Sequence, residues 1–212
     1  MKFIYNAPDY TLLANKVVLI FGIFGTTRCD ELKELQVADV EEIGGKYLVS
    51  RKDSKNGVPR KCLVGPLFYR KVKEYISLRP LYFEIKRYFV QFLNGKCHRQ
   101  VLGRNEIGQI PKIIAEYLKL TNPQYYTRHC LRRTSATLIL NSGANKTMLK
   151  QLGGWKSASI AGGYTENSLL NRQKIFVKIT HAAKVVLPSD TNLQPSTSET
   201  NSTNTTKLRS FV

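Results

Sequence analysis

Near the start of the chain, Leu12, Leu13, Lys16, Val17, Ile20 and Phe21 fall at helical spacing. Gly22 to Gly25 is expected to close that helix, and Thr26 or Thr27 to cap a second one running to Leu35. Residues 37–43, 47–51 and 60–64 then read as three short strands. Gly44-Gly45 turns the first pair and residues 54–59 turn the second. Residues 66–77 read as a helix. Residues 82–100, with Asn94-Gly95 inside, fit either a strand hairpin or a helix followed by a strand. Further helices are expected at 107–120, with Pro111 awkward in the interior, and at 128–141, 145–152 and 166–180. Gly143 ends the second of these in the manner of a C-cap.

A chain of 212 residues is expected to form one domain with a tail and to bury a real core. The boundary is placed at 187: residues 1–187 form the folded domain. Beyond it, 13 of the 19 residues from Pro188 to Thr206 are Ser, Thr or Asn, so residues 188–212 read as a disordered tail. The most apolar run, Val17 to Phe24, is too short for a transmembrane helix and begins too far in for a signal peptide.

Charge narrows the picture. The 33 Lys and Arg against 15 Asp and Glu give a formal charge of +18, spread over the folded part. That implies an anionic partner, nucleic acid first and an acidic membrane surface second. Cys29, Cys62, Cys97 and Cys130 are far apart and form no C-x-x-C pair, so they read as reduced thiols in a nuclear or cytosolic protein, with no metal site.

The candidate chemistry lies in His129-Cys130-Leu131-Arg132, then Gly153-Gly154-Trp155, then Gly163-Tyr164. The H-x-x-R spacing sets an imidazole and a guanidinium one helical turn apart, a pairing suited to a phosphate. Upstream, Arg28-Cys29-Asp30-Glu31 places a carboxylate where it can brace the helix base or orient site groups. Lys52 and Lys55 are long donors at a hairpin tip. Singly, these are ordinary surface or packing residues; their order and spacing together are harder to obtain by chance.

The order Arg28-x-x-Glu31, hairpin Lys, His129-x-x-Arg132, Trp155, Tyr164 resembles the catalytic domain of tyrosine recombinases of the phage-integrase type, over about Leu12 to Ile179. The wording from Leu152 to Ser157 and around Gly163-Tyr164 is similar to eukaryotic mobile-element recombinases of the Crypton-like group. The resemblance implies an α+β fold, mainly helical, with a small three-stranded antiparallel sheet. It implies cofactor-free breaking and rejoining of double-stranded DNA, with Tyr164 as nucleophile, Arg28 and Arg132 on the phosphate oxygens, and His129 assisting proton removal. Trp155 closes the site, Glu31 braces it, and Lys52, or alternatively Lys55, protonates the leaving oxygen. Arg28, Lys52, Lys55, Arg132, Arg133 and Lys156 are the expected DNA contacts. A tetramer on DNA is implied, the 166–180 helix with its Leu169, Leu170, Ile175, Phe176 and Ile179 either docking on a neighbouring copy or packing on its own domain, as is a nuclear location, or a nucleoid or cytoplasmic one in a prokaryote.

One feature departs from the family. About eleven residues precede the first expected helix, where the family carries a DNA-clamping domain. That keeps a second reading open: a truncated or domesticated DNA-binding module with a relict site. A type IB topoisomerase shares the phosphotyrosyl chemistry, but the compact spacing from Arg132 to Tyr164 favours a recombinase.

Overall fold

The computed structural model describes residues 2–51, 59–80, 82–154, 163 and 169–186. The chain divides into two units, Met1–Ser168 and Leu169–Val212.

The first unit is built around α2 (Asp9–Phe24), which follows a short α1 (Lys2–Asn6). Leu13, Val17, Val18, Ile20 and Phe21 are all buried, so α2 is apolar nearly all round and runs through the core rather than over it. It packs against α4 (Pro66–Ser77), α5 (Arg104–Tyr117), α6 (Cys130–Asn141) and the strand β4 (Val90–Leu93). The helix ends at Phe24 with Gly25 as its cap, inside the expected closing stretch of Gly22 to Gly25. A side chain at Gly22 would place its Cβ 2.5 Å from Leu131 Cδ1, so the missing Cβ there serves the close approach of α6 and does not end the helix.

The second expected helix is shorter than read, α3 at Cys29–Glu34, and neither threonine caps it. Thr27 Oγ1 instead donates to Phe21 O at 2.9 Å, sealing the end of α2. The N-cap position falls to Arg28, whose backbone N–H donates to Glu31 Oε2 at 2.8 Å. The helix α1 was not expected. Its buried Phe3 and Ile4 and the edge-on contact of Phe3 with Tyr117 hold it, which are tertiary contacts.

The sheet has the order β1-β2-β3, antiparallel throughout: β1 (Val40–Ile43), β2 (Lys46–Arg51) and β3 (Arg60–Val64). Residues 37–39, expected within the first strand, form a 3-10 turn. Tyr47, Val49 and Arg51 of β2 alternate inward, and the register sets Arg51 opposite Arg60 at the open end of the ladder. The ambiguous segment is a hairpin of β4 and β5 (Lys96–Val101). The helix α7 (Lys146–Gly153) is capped by Asn145 Oδ1, which accepts from Met148 N at 2.8 Å.

In the second unit, α8 (Leu169–Val186) presents Leu170, Ile175, Phe176, Val177 and Ile179 to solvent. No helix among the described residues is long and apolar enough to cross a membrane.

Candidate active site

Three pieces of backbone meet where α2 ends. The first is the loop of Gly25, Thr26 and Thr27, leading to Arg28 at the start of α3. The second is the end of α7 at Leu152 and Gly153. The third is the first turn of α6, which carries Arg132.

Arg132 is buried and joins the first two pieces: Nη1 donates to Thr26 O and Nη2 to Gly153 O, each at 2.7 Å. Bidentate donation of this kind suits the planar guanidinium fork. Thr26 sits in the left-handed region at φ 48°, an uncommon backbone state for a β-branched residue, and its Oγ1 lies 2.7 Å from Ser135 Oγ on α6.

Arg28 is about a quarter exposed, and its Nη1 donates to Glu31 Oε1 at 2.9 Å. Glu31 is buried. Burial alone would raise its carboxyl pKa; the Arg28 N–H hydrogen bond and the charges of Arg60 and Arg28 override this and hold it below the ordinary value. The carboxylate therefore stays ionised and holds one terminal nitrogen of Arg28.

His129 is the exposed residue just before α6, with Arg128 Nε 3.4 Å from its Nε2. Burial, then the charges of Arg128, Arg133 and Arg132, lower its pKa below the usual imidazole value. The free site thus favours the neutral ring, the form able to accept a proton. An open cleft of about 390 Å³, lined by Arg104, Gly108, Lys112, Tyr126, Arg128 and His129 among others, adjoins it. The cleft carries no acidic residue, and Arg104 at its rim pairs with Asp30 at 2.7 Å. The sequence held no signal for this cleft, because α5 and the segment before α6 meet only in the fold.

Of the expected site residues, Arg28, Glu31, His129 and Arg132 are thus gathered around one loop, and Arg133 lies exposed on α6. Lys52, Lys55, Trp155, Lys156 and Tyr164 lie outside the described residues. Two residues were missed. Arg51 and Arg60 are buried side by side at the base of the segment that carries Lys52, and Arg60 Nη2 lies 2.5 Å from Glu31 Oε2. Their inward parity on β2 and β3 was the available signal.

Gly154, noted only as part of Gly-Gly-Trp, has a defined reason. It ends α7 at φ 59°, and a Cβ there would stand 2.3 Å from Arg60 Cδ. Among the described residues no cluster of His, Cys, Asp and Glu has the makings of a metal site, and the four cysteines are free thiols.

Comparison with known proteins bears on the fold and the family. A tyrosine recombinase XerC of Pelobacter propionicus is 26% identical over 170 residues, covering 77% of this chain and 51% of its own length. The crystal structure of XerA recombinase superposes with a TM-score of 0.64 at 19% identity, over 78% of this chain and 58% of that one. The XerH site-specific recombinase in its post-cleavage complex with palindromic difH substrate superposes with a TM-score of 0.62 at 17% identity, over 82% and 46%. The mainly helical fold with its small antiparallel sheet is therefore that of tyrosine recombinase catalytic domains, and the chain spans about half the length of the curated relative it matches. Residues 1–169 match the model of the phage integrase family, and with that span of its 212 residues the chain belongs to it.

Proposed function

We propose that the chain is the DNA breaking-and-rejoining domain of a site-specific recombinase. One observation carries this reading. Arg28, at the N-cap of α3 and held by Glu31, and Arg132, on α6 and bonded to Thr26 O, flank a single loop, with a neutral-leaning His129 just before α6. Such a site is ready to neutralise the charge of a phosphate in its transition state.

In the proposed reaction the Tyr164 oxygen attacks the scissile phosphorus and the bond to the 5′-oxygen breaks. The phenolic proton passes toward His129, and Lys52 or Lys55 supplies a proton to the departing 5′-hydroxyl. The phosphodiester energy is kept in a 3′-phosphotyrosyl bond, so attack by a new 5′-hydroxyl reverses the steps without a cofactor. Trp155 closes the site. Lys52, Lys55, Arg133 and Lys156 add phosphate contacts, which makes affinity fall steeply with salt.

The exposed Ile175, Phe176, Val177 and Ile179 of α8 support docking of that helix on a second copy, within a tetramer on DNA. The wording around Gly153 to Tyr164 supports a mobile-element source of the Crypton-like kind and a nuclear location. Residues 1–187 act as the catalytic domain and 188–212 as a polar tail.

The test is covalent trapping. Purified chain is mixed with labelled, nicked duplexes carrying candidate element ends, and a denaturation-resistant adduct is sought. The adduct is expected with the parent and absent with Tyr164→Phe. No adduct on any duplex, with salt-sensitive binding intact, overturns the enzyme in favour of the DNA-binding module.

A further inference from the structure

We propose that Arg60, which no catalytic assignment above includes, is the positioning residue that holds the three site segments in register and keeps Arg28 turned toward the phosphate. The proposal rests on the recombinase reading for the reaction it serves, but its geometry stands apart from that reading.

Arg60 is buried at the start of β3, opposite Arg51 at the end of β2. Its two terminal nitrogens face different partners. Nη1 lies 3.3 Å from Gly25 O, 3.5 Å from Thr26 O, 3.4 Å from Leu152 O and 3.3 Å from Gly153 O. These are the carbonyls of the loop before Arg28 and of the end of α7, two residues before Trp155. Arg132 bridges the same two segments through Thr26 O and Gly153 O. Arg60 therefore stands as a second strut in the same gap, reached from the sheet instead of from α6.

Nη2 faces Glu31 Oε2 at 2.5 Å. Glu31 accepts two hydrogen bonds, from the Arg28 N–H and Arg28 Nη1, and pairs with the charge of Arg60 Nη2. With Arg60 supplying buried positive charge, Glu31 takes only one terminal nitrogen of Arg28. Without it, the carboxylate loses its buried counter-charge and draws the Arg28 guanidinium inward, away from the phosphate. Gly154 reports the tightness of the fit, since its bare Cα is what lets the Arg60 stem pass.

The arrangement is not one of plain stability. Arg60 already sits opposite a like charge, Arg51, whose own pKa is lowered by burial and by Arg60, with Glu31 acting against both. Like charges set directly opposite in a ladder destabilise it. A sheet built for stability alone has no need of two arginines there. The pair is retained where Glu31 and four carbonyls use it.

The test begins with the DNA-free full chain. Carbon-13 NMR follows the Glu31 carboxyl through its titration, with Asp9 at the far end of α2 as internal control. Arg60→Met is expected to raise the Glu31 midpoint and leave Asp9 in place. Arg60→Lys, which keeps the charge but not the fork, is expected to restore much of the shift. An unmoved Glu31 midpoint, or an equal movement of Asp9, overturns the proposal.

The second arm is single-turnover adduct formation on the nicked duplex. Arg60→Met is expected to slow it by roughly 100-fold, the scale of a small misplacement of reacting groups. The Kd for the same duplex stays unchanged, and Arg60→Lys recovers part of the rate. Parent-like rates in Arg60→Met overturn the proposal. If the parent itself forms no adduct, the recombinase reading has failed, and the titration alone decides for or against Arg60.

Discussion

Both ends of α2 are held by buried cations, and the two ends are built for different work. At the first, Lys16 reaches back along the helix to Ala7 O and to Asp9 Oδ1, the latter at 2.7 Å, while Lys71 takes the other Asp9 oxygen. At the second, Arg60 and Arg132 spread across the carbonyls of Gly25, Thr26, Leu152 and Gly153. At the second end the cations past the last turn complement the helix dipole, while at the first the two lysines offset the charge of Asp9. A lysine is a point charge on a flexible stem and closes one corner of a scaffold. A guanidinium is a rigid fork and fixes the mutual position of separate segments. The first end anchors a helix; the second fixes the loop after α2 against the end of α7.

Removing the anion from each end gives the largest expected contrast. Glu31→Gln leaves Arg60 buried against Arg51 without its carboxylate, and a buried arginine has no proton to shed. The expected loss is about 3–5 kcal/mol of unfolding free energy. Asp9→Asn acts on a residue a third exposed, and Lys16 keeps its bond to Ala7 O. The expected loss is about 1–3 kcal/mol. Urea unfolding of both variants measures the difference; equal losses would erase the distinction between the two ends.

Acid sharpens the same comparison. The Asp9 carboxyl, which partial burial would raise, is lowered by its bonds to Lys16 and Lys71, and Glu31 is lowered as described. A carboxylate whose pKa is depressed in the folded state binds fewer protons there than when unfolded. Its stabilisation is therefore present above the unfolded values, about 4, and is lost as pH falls through the folded ones. Unfolding free energy measured down through that window is expected to fall steeply in the parent. The slope is expected to flatten most in Glu31→Gln and less in Asp9→Asn. A parent slope that neither variant changes breaks the account.

How much of this was legible in the sequence also differs between the regions. The helix at 66–77 and the strand at 60–64 match their expected bounds, because local periodicity and a leading Pro66 mark them. Arg28, Glu31 and Arg132 were legible as candidates because their spacing is local. The end of α2 falls inside the expected Gly22 to Gly25 stretch, but the packing role of Gly22 was hidden because it depends on Leu131, more than a hundred residues away. Thr27 was misread as a cap because its hydroxyl has a backward partner, Phe21 O. Arg60 stayed hidden for a related reason. An arginine at a strand end beside a polar turn reads as solvent-facing. Only the inward parity shared with Val64 and the distant carbonyls of Leu152 and Gly153 reveal it as buried.

The smallest expected effects test the comparison most finely. Ser135→Ala removes the hydroxyl partner of Thr26, whose backbone is held in the left-handed region at φ 48°. Lys71→Met removes a partly exposed partner of Asp9 while Lys16 remains. In stability the two should be nearly alike, about 0.5–1.5 kcal/mol for the lost buried hydrogen bond and up to about 1 kcal/mol for the exposed ion pair. They part in activity. Thr26 O is one of two carbonyls, with Gly153 O, that Arg132 and Arg60 both face, so loosening Thr26 is expected to disturb the proposed phosphate clamp, whereas Lys71 touches only the anchoring end. Ser135→Ala is expected to slow adduct formation on the nicked duplex severalfold at unchanged Kd, and Lys71→Met to leave the rate at the parent value. If both variants slow it alike, α2 transmits disturbance along its length and its two ends are one device.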